Sequence, residues 1–564
     1  MNVLGINSVY HESACSLIVD GVLVAAAEEE RFNRRKHGKL ALVDNPDTLP
    51  EAAIAYCLQE GGLTGSQLDA VAYSFAPALR RRRFQLDPLG QEGDWGSPEG
   101  EAAFCGGLDR VPAALDRIVG SGCGDKLHWV PHHLAHAASA FFPSGFDKSA
   151  ILVIDGIGEA STGFIGYGEA QHIEPIREFE FPNSLGFVWE KLSRFLGFSG
   201  HDACKVMGLA AYGDAARYRE AFSQFLSTEG DKLFRCDPTV LKYRVGDFSP
   251  LERLLGPARH KGDPIDRRHA DIAAALQAST DEIVLALVDL AAEKAPAEAL
   301  CYAGGVALNC ATNWQILNSA KFRRLFIPSA PHDAGTAVGA ALYVHVRVNV
   351  SRDSFTPYSG PRFDPDAIKA ALERGNLRYR KSSDLTLEIA ERLAHGQVIG
   401  WFQDRMEFGP RALGNRSLLA DPRRYESREK LNLIVKRRET FRPFAPSVMA
   451  EYADKWFNLG RATDSHEFML FACPIISGRV DRIPAVAHAD GTARVQLVKA
   501  GSNPRFHALL ARFHGLTGVP MVLNTSFNDS EPIVCTPEDA IRTFNRGHID
   551  TLVMGDYVVE SGAN

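Results

Sequence analysis

Three apolar runs at the start of the chain constrain its fold more than any other feature. Val3-Leu-Gly-Ile6, Ala14–Val19 and Val22–Ala27 are each of strand length. Asp20-Gly21, between the last two, is the strongest short-range hairpin signal. A helix over Pro50–Gly61 and a strand at Ala70–Phe75 are expected next. In mid-chain, Ala150-Ile-Leu-Val-Ile154 reads as a buried strand ending in Asp155-Gly156, with a second strand near Gly163–Tyr167. Ala299–Ala303 is a strand ending in Gly304-Gly305, and a helix is expected near Leu308. After the strand Arg324–Ile327, Asp333 opens an Ala/Gly/Val-rich helix that runs to about Val346. Strands that alternate with helices and end in glycine indicate α/β sheets, with ligands at the carboxyl ends of strands. A meander, helix and strand first, then strand, Asp-Gly and strand again, suggest two related halves facing a nucleotide cleft.

The stretch 348–365 (VNVSRDSFTPYSGPRFDP) is polar and rich in Pro, Ser and Gly, as linkers are. We therefore divide the chain into a domain at 1–349, a linker at 350–365 and a domain at 366–564. The second domain resumes an α/β pattern: helices near 366–375 and 384–395, a strand at Val398–Phe402, a helix near 504–516, a strand at Val519–Asn524 and a helix at Pro537–Asn545.

The net charge of −7 and the pI near 6.2 disfavour a nucleic-acid or anionic-membrane partner, which select basic surfaces. Arg80-Arg-Arg-Arg83 is the main local exception and reads as a solvated loop. Ten scattered cysteines form no C-x-x-C pair, so a zinc ribbon is not expected. The N-terminus lacks the pattern of a signal peptide and no apolar stretch spans a bilayer, so a reducing cytoplasm is the expected location. A monomer or homodimer is expected.

Val130-Pro-His-His-Leu-Ala-His-Ala-Ala-Ser-Ala140 places three histidines within five residues of a buried-type helix. His132 and His136 share a helix face and can present two imidazoles to one ion. His133 with His136 is a weaker pair, and simple packing is the competing role. Asp155 ends a buried strand, where a carboxylate is costly unless paired or coordinating. Asp333 starts a helix, with an N-cap as its alternative. Two imidazoles and two carboxylates suit Fe(II), Mn(II) or Zn(II). Ala303-Gly-Gly-Val-Ala-Leu-Asn309 lets the backbone approach a nucleotide, and Lys205-Val-Met-Gly-Leu-Ala-Ala-Tyr-Gly213 offers a cation among small residues.

The second domain is dense in anion-binding groups. Gly409-Pro-Arg-Ala-Leu-Gly-Asn-Arg-Ser417 carries Arg411 and Arg416. Lys436, Arg442 and Arg494 follow, and Leu523-Asn-Thr-Ser-Phe-Asn528 ends a strand. Guanidinium forks, a lysine and hydroxyl or amide donors are what phosphate recognition uses.

Together with His11-Glu-Ser-Ala14, Glu28–Gly38 and Asp155-Gly-Ile-Gly-Glu159, these motifs resemble the O-carbamoyltransferases of the nodulation and antibiotic-tailoring type. The aminoglycoside carbamoyltransferase of the tobramycin pathway is similar in pattern. The resemblance spans nearly the whole chain. It implies an N-terminal actin/Hsp70-like domain, similar to the tRNA threonylcarbamoyl transferase. It also implies a C-terminal α/β domain similar to threonylcarbamoyl-adenylate synthase. It assigns a metal, iron in the family, to His132, His136, Asp155 and Asp333, and a transfer-site base to His11. Lys36, Gly304, Gly305 and Asn309 would contact the nucleotide or its phosphate. Lys436, Arg442, Arg494 and Asn524 would bind carbamoyl phosphate, with Ser526 and Arg416 close to the phosphates.

The implied chemistry has two steps. Carbamoyl phosphate and ATP, with Mg(II), yield carbamoyl-adenylate, and the carbamoyl group then passes to a hydroxyl of an antibiotic or other secondary metabolite as AMP leaves. The adenylate is a mixed anhydride that water destroys, which favours a closed path between the sites. A small-molecule kinase of the actin-like superfold would instead release ADP and need no second anion site. A non-enzymatic nucleotide-dependent scaffold would need neither His11 nor the histidine pair. The absent C-x-x-C motifs disfavour a hydrogenase-maturation role, and the acidic balance disfavours one on tRNA. The residues do not name the acceptor; its choice is expected to lie around Arg80–Arg83 and Gln85–Gly107.

Overall fold

The computed structural model describes residues 1–87, 91–228, 230, 233–345, 355–435, 438–461 and 463–561. The expected helix end at Val346, the linker positions 350–354 and Lys436 lie outside the described residues. The chain forms two compact units, one of Met1–Glu29 with His37–Phe355, the other of Glu30–Lys36 with Thr356–Asn564.

The first unit contains one sheet arrangement twice. In the first sheet, β1 (Asn2–Asn7), β2 (Ala14–Val19) and β3 (Val22–Glu28) form an antiparallel meander. β4 (Ala70–Tyr73) and β5 (Leu127–Trp129) extend it in parallel, giving the order β3-β2-β1-β4-β5. In the second sheet, β6 (Lys148–Ile154), β7 (Ser161–Glu169) and β8 (His172–Glu180) form the meander. β9 (Leu226–Thr228) and β10 (Phe234–Cys236) pair separately. β11 (Ala299–Ala303) and β12 (Arg324–Phe326) run parallel to β6 and complete the order β8-β7-β6-β11-β12. Two sheets of identical order and sense make this an actin/Hsp70-like unit. The strands of the first meander read as continuous apolar runs because both of their faces are covered.

Two helices cover the sheets where it matters for function. Asp333–His345 is apolar almost all round, as a buried helix must be. It lies on β1, where a Cβ on Gly5 would fall 2.0 Å from the Ala337 carbonyl oxygen. It also lies on the helix His132–Ser144, where a Cβ on Gly339 would fall 1.8 Å from the Ala135 oxygen. Only glycine permits such backbone approach. The result brings the N-terminal ends of both helices to the carboxyl end of β6.

Several expectations are corrected. The helix expected near Leu308 begins at Cys310, after a 3-10 turn over Gly305–Leu308. Arg80–Arg83 is not a solvated loop but the end of the helix Pro77–Arg83. Arg80 is 1% exposed: it donates to both Glu101 carboxylate oxygens, at 2.9 and 2.6 Å, and to the Glu159 carbonyl at 2.7 Å. Arg81 pairs with Asp109, and Arg83 with Glu178 and Glu180. The stretch Gln85–Gly107, expected to carry acceptor choice as a loop that varies in the family, is not all loop: the helix Pro98–Ile118 begins within it and runs on past its end. Gly106-Gly107 and Pro112 disguise it, yet Gly107 is where the helix meets Pro46.

The second unit is built on a mixed sheet. β13 (Tyr379–Lys381), β14 (Ile399–Phe402), β15 (Arg416–Ala420) and β16 (Ala445–Met449) belong to it; β17 (Ala472–Pro474) and β18 (Thr492–Arg494) pair apart. β19 (Gln496–Val498), β20 (Met521–Ser526), β21 (Thr551–Met554) and β22 (Tyr557–Glu560) complete the order β13-β22-β21-β14-β15-β20-β16-β19. Helices at Pro365–Arg374, Leu385–Ala394, Pro504–Thr517 and Pro537–Arg546 fall where the sequence pattern puts them. β20 starts two residues later than the expected strand at Val519. The segment Glu30–Lys36 is fixed within this unit. Phe32 packs on Met406, Ile533 and Cys535. Arg31 donates to the Gly409 carbonyl at 2.9 Å, and Arg34 to those of Pro532 and Ile533 at 2.6 and 2.8 Å.

Gly339→Ala should lower stability by about 1–3 kcal/mol or more through overpacking. Because it parts the two site-bearing helices, it should also weaken divalent-metal binding. Melting temperature and a metal titration on one sample check both; unchanged values in both would contradict the packing argument.

Candidate metal centre and anion site

His132 and His136 stand one turn apart at the start of their helix, Asp155 follows the last residue of β6, and Asp333 is the first residue of its own helix. All four are buried, and one ligand atom from each lies within 4.8 Å of the others. His132 Nε2 is 3.4 Å from Asp155 Oδ2 and 3.6 Å from Asp333 Oδ1. His136 Nε2 is 3.6 and 3.4 Å from the same two oxygens. Neither Nε2 has a hydrogen-bond partner. Two ligands about 2.1 Å from one ion in a tetrahedral arrangement stand about 3.4 Å apart, so this spacing fits a shared cation.

Electrostatics leads to the same place. Burial opposes charge on each group, but the facing charges outweigh it. Asp155 and Asp333 hold His132 well above the ordinary imidazole range and raise His136 too. The imidazoles in turn hold both carboxyls below the usual range. Two buried carboxylates thus demand positive charge between them, which a divalent cation supplies as well as two protons do. His133 is not part of the set: its Nδ1 meets Ser161 Oγ at 3.0 Å, and burial beside His132 pushes it down to about 3.

The ligands are braced. His132 Nδ1 lies 3.1 Å from the Ser74 carbonyl and donates to it, which turns the Nε2 lone pair toward the carboxylates. The His132 amide donates to Glu159 Oε1 at 2.9 Å. The Gly305 amide donates to Asp155 Oδ1 at 2.9 Å. Gly304 has φ +96°, and a Cβ there would fall 2.2 Å from the Ile154 oxygen. The Gly304-Gly305 turn, expected at a nucleotide, therefore orients the Asp155 carboxylate of the candidate metal centre. Asn309 caps the helix Cys310–Asn318, accepting from the Thr312 amide at 3.1 Å and donating to Gln277 at 3.0 Å.

His11 lies beside the quartet, with Nδ1 3.9 Å from Asp333 Oδ2. Its Nδ1 is buried and has no hydrogen-bond partner among the described residues, while the side chain as a whole is 29% exposed, so part of the ring reaches the surface beside the quartet. Around it stand His37 and His201, with ring centroids 6.0 and 5.1 Å away. Glu12 bonds His37 Nδ1 at 2.5 Å, and against the pull of burial that contact holds its carboxyl below the usual range. Lys205, the cation of the second Gly-rich motif, pairs with Asp202 at 3.3 Å. Lys36 is exposed and belongs to the segment fixed in the second unit.

In that unit the loop 407–416 folds around a carboxylate that sequence reasoning missed. Glu407, 2% exposed, accepts from the amides of Leu413, Asn415 and Arg416 at 2.7, 2.8 and 3.2 Å. Asn524 on β20, 1% exposed, donates to the Ala412 carbonyl at 3.3 Å and to Ser447 Oγ at 2.9 Å, and its Oδ1 has no partner. Ser526 is paired across the sheet with Ser417. Arg411 is half-buried, and its Nε finds no partner among the described residues. Arg442 is half-buried, 3.9 Å from Glu439, and Arg494 is half-buried at the end of β18. Arg416 requires a correction. It is fully buried, stacks 3.7 Å from the Phe402 ring centroid and donates to the carbonyls of Pro361, Gln403, Asp404 and Asn415. It staples the loop, which leaves the half-buried Arg411 as the loop's other guanidinium.

Comparison with known proteins follows the same division. A family model described as Carbamoyltransferase N-terminus matches residues 2–342, and one described as Carbamoyltransferase C-terminus matches 390–561. The chain is 37% identical over 571 residues to nodulation protein NolNO of Sinorhizobium fredii, covering 98% of this chain and 79% of that one. It is 40% identical over 445 residues to nodulation protein NolO of Bradyrhizobium diazoefficiens, covering 76% and 78%. An uncharacterized protein of Synechocystis sp. is 36% identical over 609 aligned positions, covering 100% and 97%. Among solved structures, component A of the Acidaminococcus fermentans (R)-2-hydroxyglutaryl-CoA dehydratase is 14% identical with a TM-score of 0.35, covering 62% and 99%; no argument rests on it. No helix of the described residues is long and apolar enough to cross a membrane.

Behind the Gly-rich turn, Asp281 accepts from Thr312 at 2.7 Å and Gln277 at 2.9 Å, and burial lifts its carboxyl to about 6. The folded chain therefore keeps a proton that the unfolded chain releases, so this group favours folding at low pH. That stability is lost as pH rises from about 4, the ordinary value, through the folded value of about 6. Asp281→Asn should gain melting temperature relative to the parent as pH goes from about 4 to 8, a trend that parallel melts would reveal. A pH-independent difference would contradict it.

Proposed function

The chain belongs to the carbamoyltransferase family and is an enzyme of that class, and from that premise we propose a two-step reaction. The C-terminal unit makes carbamoyl-adenylate from carbamoyl phosphate and ATP. The N-terminal unit transfers the carbamoyl group to a hydroxyl of a natural product. The observation that carries this reading is a pair of chemically opposite sites. One is a buried imidazole–carboxylate quartet beside a reachable histidine. The other is a loop bearing Arg411, next to the unpartnered Asn524 Oδ1.

In the first step, water cleaves carbamoyl phosphate to carbamate and inorganic phosphate; a carbamate oxygen then attacks the α-phosphorus of ATP, and pyrophosphate leaves. Arg411, Arg442 and Arg494 neutralise the phosphate charge, which is most of what phosphoryl chemistry asks of a protein. Asn524 Oδ1 accepts from the carbamoyl amino group. In the second step, the His11 imidazole takes the proton of the attacking hydroxyl, whose oxygen bonds the carbamoyl carbon as AMP leaves. A divalent ion, Fe(II) with Mn(II) or Zn(II) as alternatives, would be held by His132, His136, Asp155 and Asp333 and would supply Lewis-acid stabilisation there. Glu12 and His37 keep the His11 turn polar and ordered.

Incubation with ATP, labelled carbamoyl phosphate and a panel of hydroxylated natural products tests the reading. AMP, pyrophosphate and a carbamoylated product are expected; ADP with a phosphorylated product would mean a kinase instead. His136→Ala should strongly lower transfer while adenylate still forms, with loss of the bound metal on elemental analysis. Arg411→Ala should do the reverse, slowing adenylate formation about ten- to hundred-fold for a lost charged contact, with transfer from supplied carbamoyl-adenylate intact. His11→Asn should cost about 10²–10⁴ in the transfer rate alone. Equal losses in both half-reactions would remove His11 from the catalytic role.

A further inference from the structure

The His11 turn and the metal centre are joined by a buried polar chain. The turn needs bracing, because the residues flanking His11 are strained: Tyr10 has φ +60° and Glu12 φ +57°, and neither is glycine. Asn7, at the end of β1, supplies the brace. Its Nδ2 donates to the carbonyls of His11 at 3.1 Å and Glu12 at 3.0 Å, which uses both of its protons. Its Oδ1 accepts from Ser74 Oγ at 2.9 Å. Ser74 then faces the metal ligands twice. Its carbonyl receives His132 Nδ1, and its Oγ lies 3.0 Å from Thr336 Oγ1. Thr336 Oγ1 is also 2.6 Å from the Asp333 carbonyl oxygen, so its one proton reaches both oxygens. Asn7, Ser74, Thr336 and His132 are each 0% exposed.

We propose that Asn7, Ser74 and Thr336 form one positioning chain that locks the His11 turn to the ligands His132 and Asp333, so that filling the metal centre orders the turn. None of the three touches the reacting atoms in this arrangement; they act through the groups they hold. Ser74 is the junction. It lies just past β4, the parallel neighbour of β1, so the sheet register sets its distance to Asn7. The inference rests on the metal reading of the quartet.

The test uses the full-length protein stripped of metal, with Co(II) as the probe, read by its visible absorption and by hydrogen exchange. Second-shell partners typically contribute about tenfold or more to metal affinity, so Ser74→Ala and Thr336→Val should each raise the Co(II) Kd about tenfold, while Thr336→Ser, which keeps the hydroxyl, stays within about twofold of the parent. The double variant Ser74→Ala/Thr336→Val should bind little worse than the poorer single one, as members of one chain do. Co(II) should slow exchange in the segment Val9–Ser13 of the parent, and at saturating Co(II) should fail to do so in Ser74→Ala. If Thr336→Val does not fold, Ser74→Ala decides alone, since it removes a single oxygen. Parent-like affinity together with parent-like protection in Ser74→Ala would overturn the chain, as would strictly additive losses in the double variant. A parent that binds no Co(II) would instead defeat the metal reading itself, and the chain with it.

Discussion

Two carboxylates cannot be buried side by side without positive charge between them. Asp155 and Asp333 are placed in that situation by the fold, one after the end of β6 and the other at the first turn of a helix. Much of the first unit follows from answering it. The helix His132–Ser144 must present two imidazoles on one face, its axis must approach the helix Asp333–His345 closely, and glycine at 339 is what makes that approach sterically allowed. The Gly304-Gly305 turn gives Asp155 an amide donor, and Ser74 and Glu159 fix His132 from behind. A partly satisfied polar network in a dry interior is worse than none, and among the described residues both Nε2 atoms of the quartet and His136 Nδ1 have no hydrogen-bond partner. A cation bound between the two Nε2 atoms would satisfy both of them.

The second unit solves the converse problem. The loop 407–416 keeps its own backbone amides and guanidiniums in place without spending all of them. Glu407 gathers three amides of the loop, and Arg416 is consumed on carbonyls. Arg411 Nε and the Asn524 carbonyl oxygen have no hydrogen-bond partner among the described residues. One buried carboxylate and one buried guanidinium thus serve as scaffold within a run of residues whose composition alone makes every charge look like a ligand.

How much of this was legible in the sequence depends on the range of the interaction. The meander, the central strands and the convergence of His132, His136, Asp155 and Asp333 were readable, because strand-length apolar runs, the i, i+4 histidine pair and carboxylates at element ends are local signals. Residues whose role depends on a distant partner were not. Ser74 follows an unremarkable apolar strand, and only the β1–β4 register brings it to Asn7. Arg80 looked like a solvated charge because nothing nearby in sequence announces Glu101 and the Glu159 carbonyl as partners. The helix Pro98–Ile118 was hidden by Gly106-Gly107, whose missing side chains serve contact with Pro46 rather than a turn. Arg416 illustrates the opposite error: its neighbours Gly, Pro and Asn suggested a phosphate loop, but burial turned it into a staple.

The central claim is that the buried quartet holds a metal ion, and anomalous diffraction tests it most directly. Crystals of the full-length protein grown anaerobically with Fe(II), with data collected on both sides of the iron edge, should show one strong peak about 2.0–2.2 Å from His132 Nε2, His136 Nε2 and a carboxylate oxygen each of Asp155 and Asp333. A well-ordered quartet with no anomalous peak, its imidazoles hydrogen-bonded directly to the carboxylates, would contradict the account.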